Sequence, residues 1–168
     1  MYLRANEYVS RFDYTPDRDR KENPLFMEIV NQFGVADSID NDGFSGLQVA
    51  FPMGYWRKAN QIHSWFVDNC QNGVDECQTS FVSREHLEEL KDLCEQVLAD
   101  NSLAEDLLPP QMGFFFGSYE IDEYYLQDLK DTVEIIDRCL ASKFDYFEYY
   151  GLIFGVLWVI GSYYFNVN

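Results

Sequence analysis

Two segments of the chain carry apolar residues at every third or fourth position, and this periodicity limits the fold more than any other feature. Around Arg84–Ala99, the residues Leu87, Leu90, Cys94 and Val97 or Leu98 form a stripe, with Glu88, Glu89, Asp92 and Glu95 outside it. Around Asp122–Ala141 the stripe is Leu126, Leu129, Val133, Ile136 and Leu140. Such spacing gives amphipathic helices that need a partner for their apolar side, and Ser83 is placed to cap the first of them. A third helix is expected over about Tyr55–Asn69, where Tyr55, Ala59, Ile62 and Phe66 share a face. The first fifty residues are less regular. Tyr2–Phe12 alternates loosely, Thr15-Pro16-Asp17 reads as a turn, and Leu25–Phe33 suits a strand or a short helix. Leu47–Phe51 reads as a short buried strand stopped by Pro52 and Gly54. The expected class is α+β, mostly helical, with about three amphipathic helices and a small strand-containing N-terminal part.

The 168 residues suffice for one globular domain with a real core, expected over 1–148. The remainder, 149–168, is set apart by composition: Tyr149–Phe165 is a run of 17 residues without a charge. As a helix it would be about 25 Å long, short of a bilayer core of about 30 Å. Gly151, Gly155 and Gly161 among β-branched residues suit short buried strands or an oligomer contact better than a tail anchor, so a membrane association is disfavoured.

Charge narrows the function. With 29 acids against 12 bases the net charge is −17, a surface that repels phosphates and anionic lipid heads. Direct nucleic-acid binding through a basic face is thereby disfavoured. The acids are unevenly spread: Asp75–Asp137 holds 17 of them with only Arg84, Lys91 and Lys130, whereas Pro52–Val67 holds none and carries Arg57, Lys58 and His63 among Tyr55, Trp56, Trp65 and Phe66.

No catalytic motif stands out. The two histidines, His63 and His86, are not part of an H-E-x-x-H pattern, and there is no G-x-S-x-G elbow or phosphate-binding glycine loop. Cys70, Cys77, Cys94 and Cys139 form no C-x-x-C and read as reduced thiols. Asp37–Asp42 resembles part of a calcium loop but has Asp42 where glycine is needed and Gln48 where glutamate is needed, so no metal and no cofactor are expected. Ligand binding fits the acid-free segment better. Arg57 and Lys58 can neutralise phosphate or carboxylate, Tyr55, Trp56 or Phe115 can stack on a base, and Asn60 and His63 can read polar edges. Gly117 permits close backbone approach, and Ser118 offers an anion contact.

The run Tyr55-Trp56-Arg57-Lys58-Ala59-Asn60-Gln61-Ile62-His63-Ser64-Trp65-Phe66-Val67, together with Val82-Ser83-Arg84-Glu85, Gly113-Phe114-Phe115-Phe116-Gly117-Ser118 and Asp122-Glu123-Tyr124-Tyr125, resembles signatures of small, largely uncharacterised proteins of tailed phages and prophages. The resemblance covers about Gly54 to Leu140 and implies an accessory protein of the bacterial host cytoplasm, with countering of host immunity as the analogous role. Two non-catalytic mechanisms follow as expectations. In the first, which is preferred because a decoy needs no cluster of Trp, Arg, Lys and His, the acid-free segment sequesters a small anionic, nucleotide-type ligand. In the second, the acidic stretch imitates DNA and blocks a basic host nuclease, restriction enzyme or other DNA-handling enzyme. A homo-oligomer is compatible with both. A nucleotide-processing enzyme built on His63 is the least favoured.

Overall fold

The structure, a computed structural model, describes residues 1–14, 20–36, 46–111 and 120–151. Asp37–Asp42, Phe114–Ser118 with Phe115, Gly117 and Ser118, and all of the apolar run beyond Gly151 lie outside the described residues. The elements in chain order are β1 (Tyr2–Ser10), β2 (Phe12–Tyr14), β3 (Arg20–Glu22), α1 (Pro24–Phe33), β4 (Gly46–Tyr55), α2 (Asn60–Cys70), β5 (Thr79–Ser83), α3 (Arg84–Ala99), α4 (Ala104–Leu107), α5 (Glu123–Ala141) and β6 (Tyr146–Tyr150). A single 3₁₀ turn, Asn101–Leu103, precedes α4. The class is α+β.

The sequence explains why α3 and α5 form and how they pair. The Ser83 hydroxyl accepts from the His86 N–H, and the His86 ring accepts from the Ser83 N–H, a capping box with histidine in the usual glutamate place. Leu87, Leu90, Cys94 and Val97 are buried along one side. Asp122 caps α5 by accepting from the Tyr125 N–H at 2.9 Å. Arg84 opens α3, and its guanidinium donates to the carbonyls of Leu140, Ser142 and Phe144 at the end of α5. The two helices therefore run antiparallel, with a cation on the negative end of the α5 dipole.

These helices cover one face of a sheet ordered β4-β1-β6-β5. β6 pairs antiparallel with β1 (Leu3↔Tyr149, Ala5↔Phe147) and with β5 (Ser80↔Tyr149, Val82↔Phe147). Alternation then sends Leu3, Ala5, Val82, Phe147 and Tyr149 into one core with Ile62, Phe66, Leu87, Leu90, Leu129 and Ile136. On the other side of β1, Met1 and Trp56 each donate N–H to the other's carbonyl at 3.0 Å, the hydrogen-bonded pair of an antiparallel ladder.

The chain divides into two compact units, Met1–Ala5 with Pro52–Asn168, and Asn6–Phe51. The second has its own small cluster of Val9, Phe26 and Val30, with Met27, Leu47 and Val49 against it. Within it β2 and β3 pair as a hairpin, with Phe12 opposite Glu22. Asn23 caps α1, and Gly34 ends it in the left-handed region (φ 66°).

Several expectations need correction. The strand β6 spans the expected boundary after Glu148, with Phe147 and Tyr149 both in the core. The helix expected from Tyr55 starts at Asn60: Tyr55 still belongs to β4, and Lys58 takes a positive φ of 67° that breaks the helical path. Leu47–Phe51 is a strand but not a buried one, since Phe51 is 40% exposed. It also runs on through Pro52, which an edge strand tolerates. Leu25–Phe33 resolves as α1, and α4 is added, so helices exceed the expected three. Among the described residues no helix is long and apolar enough to cross a membrane.

Candidate functional site

The acid-free segment was the expected ligand site, and the fold disperses it. After Tyr55 the chain turns inward at Trp56, whose indole is 3% exposed and donates from Nε1 to the Thr132 hydroxyl at 2.8 Å. Its ring packs near Phe66, with centroids 5.7 Å apart. Trp65 is buried too, edge-on to Phe66. Trp56 is therefore a core residue, and no ring face is left for a base: its expected stacking role is corrected. Tyr55 is exposed but lies on the sheet, its ring 4.9 Å from that of Tyr2. Arg57 is exposed in the turn.

His63 is occupied on both nitrogens. Tyr149 Oη lies 2.6 Å from Nδ1 and Asp75 Oδ2 lies 2.9 Å from Nε2. A tautomer with the proton on Nε2 donates to the carboxylate and accepts at Nδ1 from the hydroxyl, which gives every member of the chain a partner. Gly151 lies against it: a Cβ there would come within 2.7 Å of His63 Cε1. Burial raises the Tyr149 phenol far above its ordinary range, with Asp75 adding to the effect. This arrangement ties the start of α2 to the core strand β6.

Among the described residues of the expected site, Lys58 and Asn60 reach a common cleft. It has a volume of about 270 Å³ and is bounded by Lys58, Asn60 and Gln61 on one side, Pro110 and Gln111 on another, and Glu120, Asp122, Tyr124, Tyr125 and Asp128 on the third. The Asn60 amide donates to the Gln111 carbonyl at 3.2 Å, and Tyr125 Oη donates to the Leu108 carbonyl at 2.6 Å, so α2 and α5 are both tethered to the 108–111 stretch. Asp128 is pushed up to about 6, chiefly by burial, against the hydrogen bond from Gln61 Nε2 at 3.3 Å; Asp131 and Asp122 add to the rise. Three carboxylates thus face one lysine, and the cleft is unfavourable to phosphate. Asp128 and Gln61 escaped the sequence reading. The available signal was an acid at the margin of the α5 stripe, three residues after Tyr125 and four before Thr132.

The charged surface is better organised. On α3 the carboxylates of Glu85, Glu88, Glu89, Asp92 and Glu95 are exposed, and on α5 those of Glu123, Asp131, Glu134 and Asp137. Glu88, Asp92 and Glu95 follow i, i+4, i+7 spacing, which puts them in one row with neighbours about 5–6 Å apart. Of the four cations on these helices two are committed, while Lys130 and Arg138 are exposed on α5. Arg84 caps α5, and Lys91 bridges the pair by donating to Asp137 at 2.6 Å, with Glu95 at 3.6 Å. Both helices therefore present an anionic face fixed by a shared core. Compared with family models, curated proteins and solved structures, the chain matches none.

Proposed function

We propose that this is a non-catalytic binding protein that engages a basic protein surface through the carboxylate-bearing sides of α3 and α5, as a decoy for the phosphate backbone of DNA. The observation that carries this reading is the fate of the local cations. On α3 Arg84 is spent on three carbonyls and Lys91 on Asp137 and Glu95, so the exposed carboxylates of that helix have no free cation beside them, and on α5 the exposed Lys130 and Arg138 leave the pair still in anionic excess. Fixed charge of one sign raises association rates with a basic partner and makes the complex sensitive to salt. The likeness of its motifs to small phage proteins supports a host DNA-handling enzyme as the partner class, acting in the bacterial cytoplasm. Two further features support binding over turnover. His63 is committed to Tyr149 and Asp75, and burial pushes the thiols of Cys70, Cys94 and Cys139 up to about 11, 12 and 11, away from nucleophilic thiolates.

The test is capture of basic proteins from a bacterial lysate, followed by displacement of labelled duplex DNA from the captured enzyme. Binding should weaken steeply between about 50 and 200 mM salt. A Glu88→Gln/Asp92→Asn/Glu95→Gln variant should displace DNA at least tenfold less well and with a shallower salt slope. Equal displacement by parent and variant would remove the decoy reading. Sequestration of a small nucleotide-type ligand is the second reading, supported by Lys58 and Asn60 on one cleft and by the exposed Tyr124 ring beside them, against the cost of Glu120, Asp122 and Asp128. Release of an intact nucleotide from the heat-denatured protein would promote it.

A further inference from the structure

The cleft beside α5 holds acceptors that lack donors. Gln61 is only 6% exposed, lines the cleft, and spends its amide N–H on Asp128 Oδ2 at 3.3 Å. Among the described residues nothing donates to its Oε1. Asp128 lines the same cleft and accepts that one side-chain bond, although an ionised carboxylate has about four acceptor sites. Among the described residues no cation pairs with it, and Asp131 and Asp122 add like charge instead. Polar groups sheltered to this degree ordinarily find partners, because a charge that sheds its hydration needs something in return.

Both acceptors are satisfied at once by a ligand that brings several donors and a positive charge. An anion would leave Gln61 Oε1 bare and add to the charge of Asp122 and Asp128. A neutral hydroxyl or amide supplies donors without charge. A guanidinium supplies five N–H groups in a planar fork and is more weakly hydrated than an ammonium. The rest of the lining suits it. The exposed Tyr124 ring offers a face to a cation, and Pro110 offers an apolar contact to a methylene stem. Lys58 also lines the cleft, but it makes no ion pair with Asp128 and is outnumbered by Glu120, Asp122 and Asp128. At about 270 Å³ the space is that of a small ligand or a single side chain. We propose that this cleft binds a guanidinium group, with the Asp128 carboxylate and Gln61 Oε1 as its acceptors. The group can belong to a small free molecule or to an arginine side chain of a protein.

The experiment titrates the isotope-labelled full chain with agmatine at about pH 7.5, where Asp128 is ionised, and follows the Gln61 side-chain amide by NMR. Saturable shifts are expected in the parent, and Asp128→Asn should weaken binding at least about tenfold. Glu28→Gln removes one exposed carboxylate from a different helix and should leave the affinity unchanged. Far-UV circular dichroism checks that both variants keep their helices. No saturable shift up to about 10 mM agmatine would overturn the proposal, and so would equal affinity in parent and Asp128→Asn. Equal weakening by Glu28→Gln would overturn it too, as the mark of diffuse charge attraction. N-acetylarginine amide separates the two sources. Its competition with agmatine assigns the site to a protein side chain, and its exclusion while agmatine binds assigns it to a small free ligand. Saturable binding of adenosine monophosphate in place of agmatine would overturn the proposal and give the cleft to an anion.

Discussion

The placement of Trp56 in the core can be tested by a double-mutant cycle with Thr132. The indole N–H donates to a hydroxyl that is itself 0% exposed, and that hydroxyl donates onward to the Asp128 carbonyl. Thr132→Val keeps the shape but leaves the indole N–H without an acceptor in an environment only 3% open to solvent, a loss of about 2 kcal/mol. Trp56→Phe removes the bond, about 1 kcal/mol, and some of the ring contacts with Phe66 and Tyr149, about 1 kcal/mol more. In the double variant no donor remains to be stranded, so the combined cost should fall short of additivity by about 1–2 kcal/mol. Urea denaturation followed by circular dichroism gives the four stabilities, and thermal melts should show each single variant lowered by about 4–8 °C. Additive costs would refute the buried hydrogen bond. An unchanged stability for Trp56→Phe would refute the core assignment itself and return the indole to the list of ligand-stacking groups.

Three further substitutions test other parts of the argument. Asp128, pushed up to about 6 by burial, binds its proton more tightly in the folded state than in the unfolded chain, so this group makes stability fall as pH rises from about 4 to about 6. Asp128→Asn should flatten that part of the stability–pH curve and be more stable than the parent at pH 7; an unchanged slope would rule the assignment out. Gly54→Ala places a Cβ 2.4 Å from Ile135 Cγ2 and should cost about 1–3 kcal/mol in denaturant titration, relieved when Ile135→Ala is added. Arg84→Gln strips the end of α5 of its cation and should cost about 2 kcal/mol, and Arg84→Lys should recover less than half because an ammonium cannot serve several carbonyls in a fixed fork. A melting temperature unmoved by Arg84→Gln would contradict the capping role.

The parts of the fold that were legible are those whose signal is local. α3 matches its expected span, and the stripe of Leu87, Leu90, Cys94 and Val97 is buried in full. In α5 the buried face is turned toward Tyr125, Thr132, Ile135 and Cys139, leaving Leu126, Val133 and Leu140 at its margin. Hydropathy alone misses this, because the polar tips of Tyr125 and Thr132 find partners only in the folded chain, at Leu108 and Trp56. The sheet was the least legible part. β6 joins β1 across more than a hundred residues of sequence, and β5 is five residues long, so neither pairing leaves a local trace. Of the candidate site, Lys58 and Asn60 do reach a cleft, but Trp56 is decided by a partner 76 residues away.

The charge contrast that drew attention to Pro52–Val67 has a physical origin other than ligand binding. Pro52, Tyr55, Arg57 and Lys58 are exposed, whereas Trp56, Ala59, Gln61, Ile62, Trp65 and Phe66 are all buried. A carboxylate there would have to shed its hydration without a cation to replace it, a cost that Asp128 already registers in a shallower position. At the buried positions of this segment, absence of acids is what burial requires. The acids collect instead where two helices turn away from their shared core; of the four cations there, Arg84 holds a helix end and Lys91 a cross-helix pair. In a chain of this composition the acids gather on the outer sides of α3 and α5, where Lys130 and Arg138 are the exposed cations among them.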